Sequence, residues 1–212
     1  MALLIFDMDG TILDSGTAIV NTINHVREAL GFEKLEKEYT LEKVNDPSIN
    51  AAKFFYGTDD FTIQQKELFE KHYNANCLNN LELYDGMAKL IDDLSQEFTL
   101  TVATNANSVF ARKMLDHLEV GKYFDTILGF DSVKKAKPHP EMVYKILDTH
   151  NIQKERTQLI GDSHKDIMAA NNAGIASILV NWGFSNHDND KNAIETIDEL
   201  EKKIFEKFNK FK

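Results

Sequence analysis

The sequence is poor in cysteine, proline and basic side chains. Its 212 residues include one cysteine, Cys77, and 3 prolines. A single thiol cannot form an internal disulfide or a zinc framework, which excludes a small stapled scaffold and favours the reducing cytoplasm. Lys and Arg number 24 against 34 Asp and Glu, a formal net charge of -10. Nucleic acid polymers and anionic membranes are therefore repelled on average, and we expect neither as a partner.

Long apolar runs are absent as well. No stretch reaches the roughly 20 apolar residues that span a bilayer. The N-terminal run from Ala2 to Phe6 has no basic leader and ends at Asp7, so we expect a soluble, cytoplasmic protein. With 42% hydrophobic and 27% charged residues, the composition is that of an ordinary globular protein. Composition leaves open whether it is a monomer or a dimer.

Short apolar runs alternate with amphipathic helical patterns along most of the chain. Buried strands are predicted over residues 2–6, 98–103, 126–128, 158–160 and 175–180. Helices are predicted over residues 87–94, 107–118, 141–150 and 165–173, and a closing helix carries Ile197, Leu200, Ile204, Phe208 and Phe211 on one face. This alternation predicts an α/β fold, a Rossmann-like parallel sheet with helices on both faces.

Residues 15–83 interrupt the alternation, because they contain only helical periodicity. They predict an all-helical cap domain inserted into a core made of residues 1–14 and 84–212. The turn-forming Asp14-Ser15-Gly16 and the polar Asn79-Asn80 mark its edges. Four polar cap residues follow a short helix and are candidates to reach into the cleft between cap and core: Asn45, Asp46, Ser48 and Lys53.

Acidic and polar side chains follow three of the predicted strands: Asp7 and Asp9, then Thr104 and Asn105, then Asp162 and Asp166. The carboxyl ends of parallel strands meet at the ligand-binding edge of the sheet. Carboxylates gathered there repel one another unless a proton or cation intervenes, and all-oxygen ligands suit Mg²⁺. Lys137, in Lys137-Pro138-His139-Pro140, supplies an ammonium group that can meet an anion.

This combination predicts a site for phosphoryl transfer, in which catalysis is mostly positioning and neutralisation of charge. Asp7 would attack phosphorus and form an aspartyl-phosphate. Asp9 would protonate the departing oxygen and then activate the water that hydrolyses the intermediate.

Four motifs carry a family resemblance: Phe6-Asp7-Met8-Asp9-Gly10-Thr11, Thr104-Asn105, Lys137-Pro138, and Gly161-Asp162-Ser163 with Asp166. In this order they resemble the motifs of the haloacid dehalogenase superfamily. The sequence looks most like the branch of phosphoglycolate phosphatases and β-phosphoglucomutases, in which a helical cap follows the first motif. The resemblance covers the core, and the cap matches no pattern that identifies a substrate.

The resemblance implies a Mg²⁺-dependent phosphatase that acts on a small phosphorylated metabolite, such as phosphoglycolate, a sugar phosphate or a nucleotide. Asp7 would be nucleophile and metal ligand, and Asp9 would be the acid/base whose backbone carbonyl also binds the metal. Asp162 would complete the metal site. Thr104 and Asn105 would hold the phosphate, and Lys137 would neutralise it. Asp166 would lie behind them, orienting Lys137 or a metal-bound water.

Two alternatives stay open at this point. A phosphomutase of the same branch would return the phosphoryl group to a sugar instead of to water. A phospho-accepting module similar to a response-regulator receiver also combines Asp, Thr, Lys and Mg²⁺ on a parallel sheet. The order of the motifs argues against the second alternative, because a receiver carries its phosphorylated Asp after a later strand than its acidic metal pair and has no cap.

Overall fold

The computed structural model describes residues 1–185, 187 and 190–208. In these residues the strands are β1 (Ala2–Phe6), β2 (Leu13–Asp14), β3 (Glu82–Leu83), β4 (Phe98–Ala103), β5 (Thr126–Leu128), β6 (Thr157–Gly161) and β7 (Ala176–Leu179). The helices are α1 (Gly16–Ala29), α2 (Lys37–Asn45), α3 (Ala51–Tyr56), α4 (Ile63–Asn76), α5 (Met87–Ser95), α6 (Ser108–His117), α7 (Glu141–His150), α8 (His164–Ala173) and α9 (Ile197–Phe208).

Five strands form one parallel sheet in the order β5-β4-β1-β6-β7. The first strand of the chain is therefore central, and β4 and β6 flank it. The backbone N–H of Asp7 still donates to the carbonyl of Ile160, at 2.8 Å, so the sheet pairing continues up to the first acidic residue. The predicted α/β class and its parallel sheet are confirmed.

Helices cover both faces of the sheet because β1 is apolar on both sides. Leu4 and Phe6 pack in a cluster with side chains of α5, α6 and α9, whereas Leu3 and Ile5 pack with α7 and α8. Side chains alternate between the faces of a strand, so each pair belongs to one layer. Burying each such side chain contributes about 1.5–3 kcal/mol. The two layers fix the direction in which the end of β1 points.

Four consecutive helices, α1 to α4, lie between β2 and β3. They have an apolar cluster of their own, centred on Ile23 and Val26 of α1 and Phe55 and Tyr56 of α3. This all-helical segment agrees with the predicted insertion, and we retain as a proposal its description as a cap of residues 15–83 on a core of residues 1–14 and 84–212.

Sequence reasoning missed the ribbon at the base of this segment. Strands β2 and β3 pair antiparallel, with Leu13 opposite Leu83 and Asp14 opposite Glu82. The sequence predicts turns at Asp14 and just before β3, because a strand of two residues has no periodicity to recognise.

Helix α9 docks on the sheet through Leu200, Ile204 and Phe208, which are buried. The predicted stripe of this helix also includes Phe211, which lies outside the described residues. Over the part of the chain that the structure describes, no helix combines the length and the apolar character that crossing a membrane requires.

Candidate active site

The end of β1 carries a buried ion-pair network. Asp7 follows the strand directly, and its Oδ1 lies 2.8 Å from the Nζ of Lys137. The same Nζ lies 2.6 Å from Oδ1 of Asp166. Asp7 and Lys137 are only 8% and 4% exposed, and Asp166 is fully buried. Three residues predicted from separate motifs thus meet through one ammonium group.

Asp166 is held from its own helix as well. At the start of α8, its Oδ2 accepts hydrogen bonds from the hydroxyl and the backbone N–H of Ser163, at 2.9 and 3.2 Å. This reciprocal cap satisfies backbone donors that a helix start leaves free. Because both carboxylate oxygens already have partners, the geometry agrees with the predicted role of Asp166 in orienting Lys137.

Asp162 is clamped by the loop that follows β7. Its Oδ2 accepts the backbone N–H of Phe184 at 2.8 Å, and its carbonyl accepts Nε2–H of His187 at 2.6 Å. A Cβ added to Gly183 or to Gly10 would overlap Asp162, so glycine at both positions allows the close approach. Gly10 also has a φ of +81°.

The remaining oxygen of Asp162, Oδ1, is buried and has no hydrogen-bond partner among the described residues. Asp7, Asp162 and Asp166 each offer a carboxylate oxygen, and these atoms lie within 4.8 Å of one another. Buried carboxylates this close need a cation or protons between them. Oxygen donors of this kind suit Mg²⁺, so the residues present fit a magnesium ion.

Asp9 faces a different set of partners. The hydroxyl of Ser15 donates to its Oδ1, and the hydroxyl of Thr104 donates to its Oδ2 at 3.3 Å. The Thr104 hydroxyl also accepts the backbone N–H of Ala106 at 3.0 Å, which fixes its direction. The acid that sequence reasoning predicts as proton donor is thus positioned from both β4 and the residue preceding α1.

Asn105 supports the lysine. Its Nδ2 donates to the carbonyl of Lys137 at 2.8 Å, and its Oδ1 accepts the backbone N–H of Lys137 at 3.0 Å. The carboxamide is therefore occupied by the backbone that carries Lys137. A contact of Asn105 with a phosphate would have to come from the second N–H of Nδ2 or from its backbone N–H.

Burial sets the protonation of these groups. It raises the pKa of Asp7 well above its usual value, and the neighbouring Asp166 raises it further. Burial likewise raises the pKa of Asp9, although the hydrogen bonds from Ser15 and Thr104 oppose the shift. Burial lowers the pKa of Lys137, but Asp166 and Asp7 together raise it more, so the net pKa lies above its usual value. Lys137 stays charged, and Asp9 keeps a proton to higher pH than a solvated carboxyl.

One of the four cap candidates reaches the site. Asn45, at the end of α2, donates from Nδ2 to Oδ2 of Asp162 at 3.0 Å and to the hydroxyl of Ser185 at 3.1 Å. Asp46 instead bonds Ser48, and Lys53 pairs with Asp59, all on the surface. We do not find these three in the cleft.

Four residues that make hydrogen bonds in or next to the site are not predicted from the sequence as site residues: Ser15, Lys165, Phe184 and His187. The sequence places Ser15 only in the turn at the edge of the predicted cap. Phe184 and His187 belong to the loop after the last strand, and the rule that sites lie at the carboxyl ends of strands could have indicated that loop. The sequence predicts Lys165 only as the first residue of a helix.

Comparison with known proteins agrees with this architecture. Residues 4–180 match the family model for haloacid dehalogenase-like hydrolases. A phosphoglycolate phosphatase of Aquifex aeolicus is 32% identical over 195 residues, which cover 87% of this chain and 86% of the relative. The pyrophosphatase PpaX of Halalkalibacterium halodurans is 26% identical over 187 residues, which cover 87% and 86% of the two chains.

Among solved structures, that of a predicted phosphatase from Clostridium acetobutylicum superposes on this chain with a TM-score of 0.85. It is 25% identical, and the match covers 97% of this chain and 98% of that one. The resemblance read from the four motifs is confirmed: this chain belongs to the haloacid dehalogenase-like hydrolases.

Proposed function

We propose that this protein is a Mg²⁺-dependent phosphatase that hydrolyses a small phosphorylated metabolite through an aspartyl-phosphate on Asp7. The observation that carries the proposal is the buried pairing of Asp7 with Lys137 beside Asp162, whose second oxygen has no partner among the described residues. The names of the relatives support the same activity, since phosphoglycolate and pyrophosphate are both small phosphates.

In the first step, a carboxylate oxygen of Asp7 attacks phosphorus and the bond from phosphorus to the ester oxygen breaks. Asp9 gives its proton to the departing oxygen, for which its raised pKa is suited. Lys137 neutralises the phosphoryl charge, and the hydroxyl of Thr104, which donates to Asp9 in the free site, turns to donate to a phosphoryl oxygen. The product is an acyl-phosphate on Asp7 and a free alcohol.

In the second step, Asp9 accepts a proton from water, whose oxygen attacks phosphorus. The bond from phosphorus to Asp7 breaks, and inorganic phosphate leaves. Asp7 and Asp162, with the backbone carbonyl of Asp9, would hold Mg²⁺. When bound, the metal supplies positive charge against the phosphoryl oxygens.

The purified protein should release inorganic phosphate from p-nitrophenyl phosphate in the presence of Mg²⁺, and chelation by EDTA should stop the release. Added Mg²⁺ in excess of the chelator should restore it. Phosphate release also discriminates against a phosphomutase, which would retain the phosphoryl group on a sugar. Hydrolysis that continues at full rate under chelation would remove the metal from the proposal.

A receiver-like module has less support. Asp7 and Asp9 follow the same central strand, and four helices stand between β2 and β3. Such a module would become stably phosphorylated without steady release of phosphate, so the same assay distinguishes it.

The stability of the metal-free protein should fall as pH rises, and Mg²⁺ should oppose this fall. Burial and the neighbouring Asp166 raise the pKa of Asp162 to about 7. The folded metal-free protein therefore holds protons that the unfolded chain has lost, and its stability falls as pH rises from about 5 to about 8. Mg²⁺ competes with those protons, so its stabilising effect grows over the same range.

The measurement is the melting temperature at the two ends of this pH range, with EDTA and with Mg²⁺. We expect the increase caused by Mg²⁺ to be larger at high pH. Asp162→Asn, which removes the carboxylate, should flatten the dependence. An increase of the same size at both pH values would count against the metal site.

A further inference from the structure

The end of α2 lies next to the candidate catalytic residues and contacts the core through three hydrogen bonds. Two of them run from Asn45, to Asp162 and to the hydroxyl of Ser185. The third runs in the opposite direction, from Nζ of Lys165 in α8 to the carbonyl of Val44, at 2.6 Å. Val44 and Asn45 are neighbours, so one turn of the cap helix is held over the site by an amide and an ammonium group.

The two lysines of the site differ in how their charge is compensated. Lys137 pairs with Asp7 and Asp166 and is nearly inaccessible. Lys165 is half-buried, and within the described part of the chain its ammonium group bonds the neutral carbonyl of Val44 and pairs with no carboxylate. Burial lowers the pKa of this lysine, although the nearby carboxylates of Asp166, Asp7 and Asp46 favour its charge. A partly desolvated cation without a directly paired anion is unfavourable, and binding an anion would offset that cost.

Lys165 also lies beside the candidate active site. It adjoins Asp166 in α8, and its partner Val44 precedes Asn45, which bonds Asp162. An ammonium group has three N–H donors, and Val44 uses one of them. Two donors remain, so the group can bind an anion without leaving the cap.

We propose that Lys165 binds a second anionic group of the substrate, a carboxylate or a further phosphate, beside the phosphoryl group that is transferred. The inference rests on the proposed phosphatase function. It narrows the substrate class to small phosphates whose second negative charge lies a short distance from phosphorus, because α2 sits directly above Asp162 and leaves little length between them. A phosphate whose substituent is neutral has no second anionic group for Lys165 to bind.

The test compares substrates that differ in that second charge. 2-Phosphoglycolate and pyrophosphate carry it, whereas ethyl phosphate offers a phosphoryl group on a neutral two-carbon chain. We expect Lys165→Gln to lower kcat/KM for at least one of the charged substrates by about 10- to 100-fold, the effect of losing one charged hydrogen bond. Hydrolysis of ethyl phosphate should change by less than about 2-fold, because a neutral chain makes no such bond. Lys165→Arg keeps the positive charge, so it should retain most of the preference for the charged substrates over ethyl phosphate.

Lys135→Gln is the matched control, since it removes an exposed lysine from the same domain and should alter neither class of substrate. An equal loss on charged and neutral substrates would overturn the inference, because it would mean that Lys165 serves only to dock the cap. An unchanged preference in Lys165→Gln would overturn it too. If the unaltered protein hydrolyses ethyl phosphate as well as the charged substrates, only this inference about Lys165 fails. If it hydrolyses none of these phosphates, the proposed phosphatase function fails too.

Discussion

Asp7→Asn should abolish turnover and leave the fold intact. The amide cannot form the acyl-phosphate, so we expect kcat to fall by at least about 1,000-fold, as when an attacking group is removed from other enzymes. Stability should be preserved, because the carboxamide keeps the size of the side chain and its oxygen can still accept a hydrogen bond from Lys137. Lys137 also keeps its partner Asp166 at 2.6 Å. Steady-state phosphate release and thermal unfolding measure the two effects separately.

Asp148→Asn is the control for this substitution, since Asp148 is an exposed acid on α7. It should leave both kcat and the melting temperature unchanged. Turnover by Asp7→Asn near the rate of the unaltered protein would contradict the assignment of the nucleophile. A collapse of the fold in this variant would contradict the account of its buried charge.

Lys137→Met should have the largest effect on stability. It leaves the carboxylates of Asp7 and Asp166 buried without their shared cation, and breaking a buried pair in this way costs about 3–5 kcal/mol. We expect the midpoint of urea unfolding to fall accordingly and phosphate release to be lost, because the phosphoryl charge is no longer neutralised.

Adding Asp166→Asn to Lys137→Met separates the loss of stability from the loss of phosphate release. The second substitution removes one of the two uncompensated charges, so it should recover part of the stability and none of the activity. Recovery of activity in the double variant would show that Lys137 is dispensable for chemistry. A single Lys137→Met variant as stable as the unaltered protein would mean that the three groups do not carry the charges assigned to them.

The core of the fold and the residues that meet at the candidate site could be predicted because their signals are local. Ala2–Phe6 is continuously apolar, which is typical of a strand buried on both faces, and Asp7 follows at once. Parallel strands then bring Asp7, Thr104 and Asp162 to one edge, whatever lies between them in the sequence. The acids at these strand ends, together with Lys137, predict a site for a phosphoryl group.

The contacts that refine the site could not be predicted, because they depend on how loops and cap meet the core. Asn45 and Asp162 are separated by 117 positions, and Phe184 approaches Asp162 through its backbone, where side-chain identity gives no signal. Lys165 looks like any exposed lysine in the first turn of an amphipathic helix. Only the position of α2 shows that its ammonium group bonds the carbonyl of Val44, next to the residue that contacts Asp162.

The short ribbon of β2 and β3 determines how the cap can open. Since Leu13 lies opposite Leu83 and Asp14 opposite Glu82, the two points where the chain passes between core and cap are hydrogen-bonded neighbours. Any rotation of the helical segment against the core would therefore turn about this one ribbon, because the two connections cannot move independently. In such a rotation α2 would withdraw from Asp162 and Lys165 in one movement, so both side chains would become accessible to an arriving substrate together.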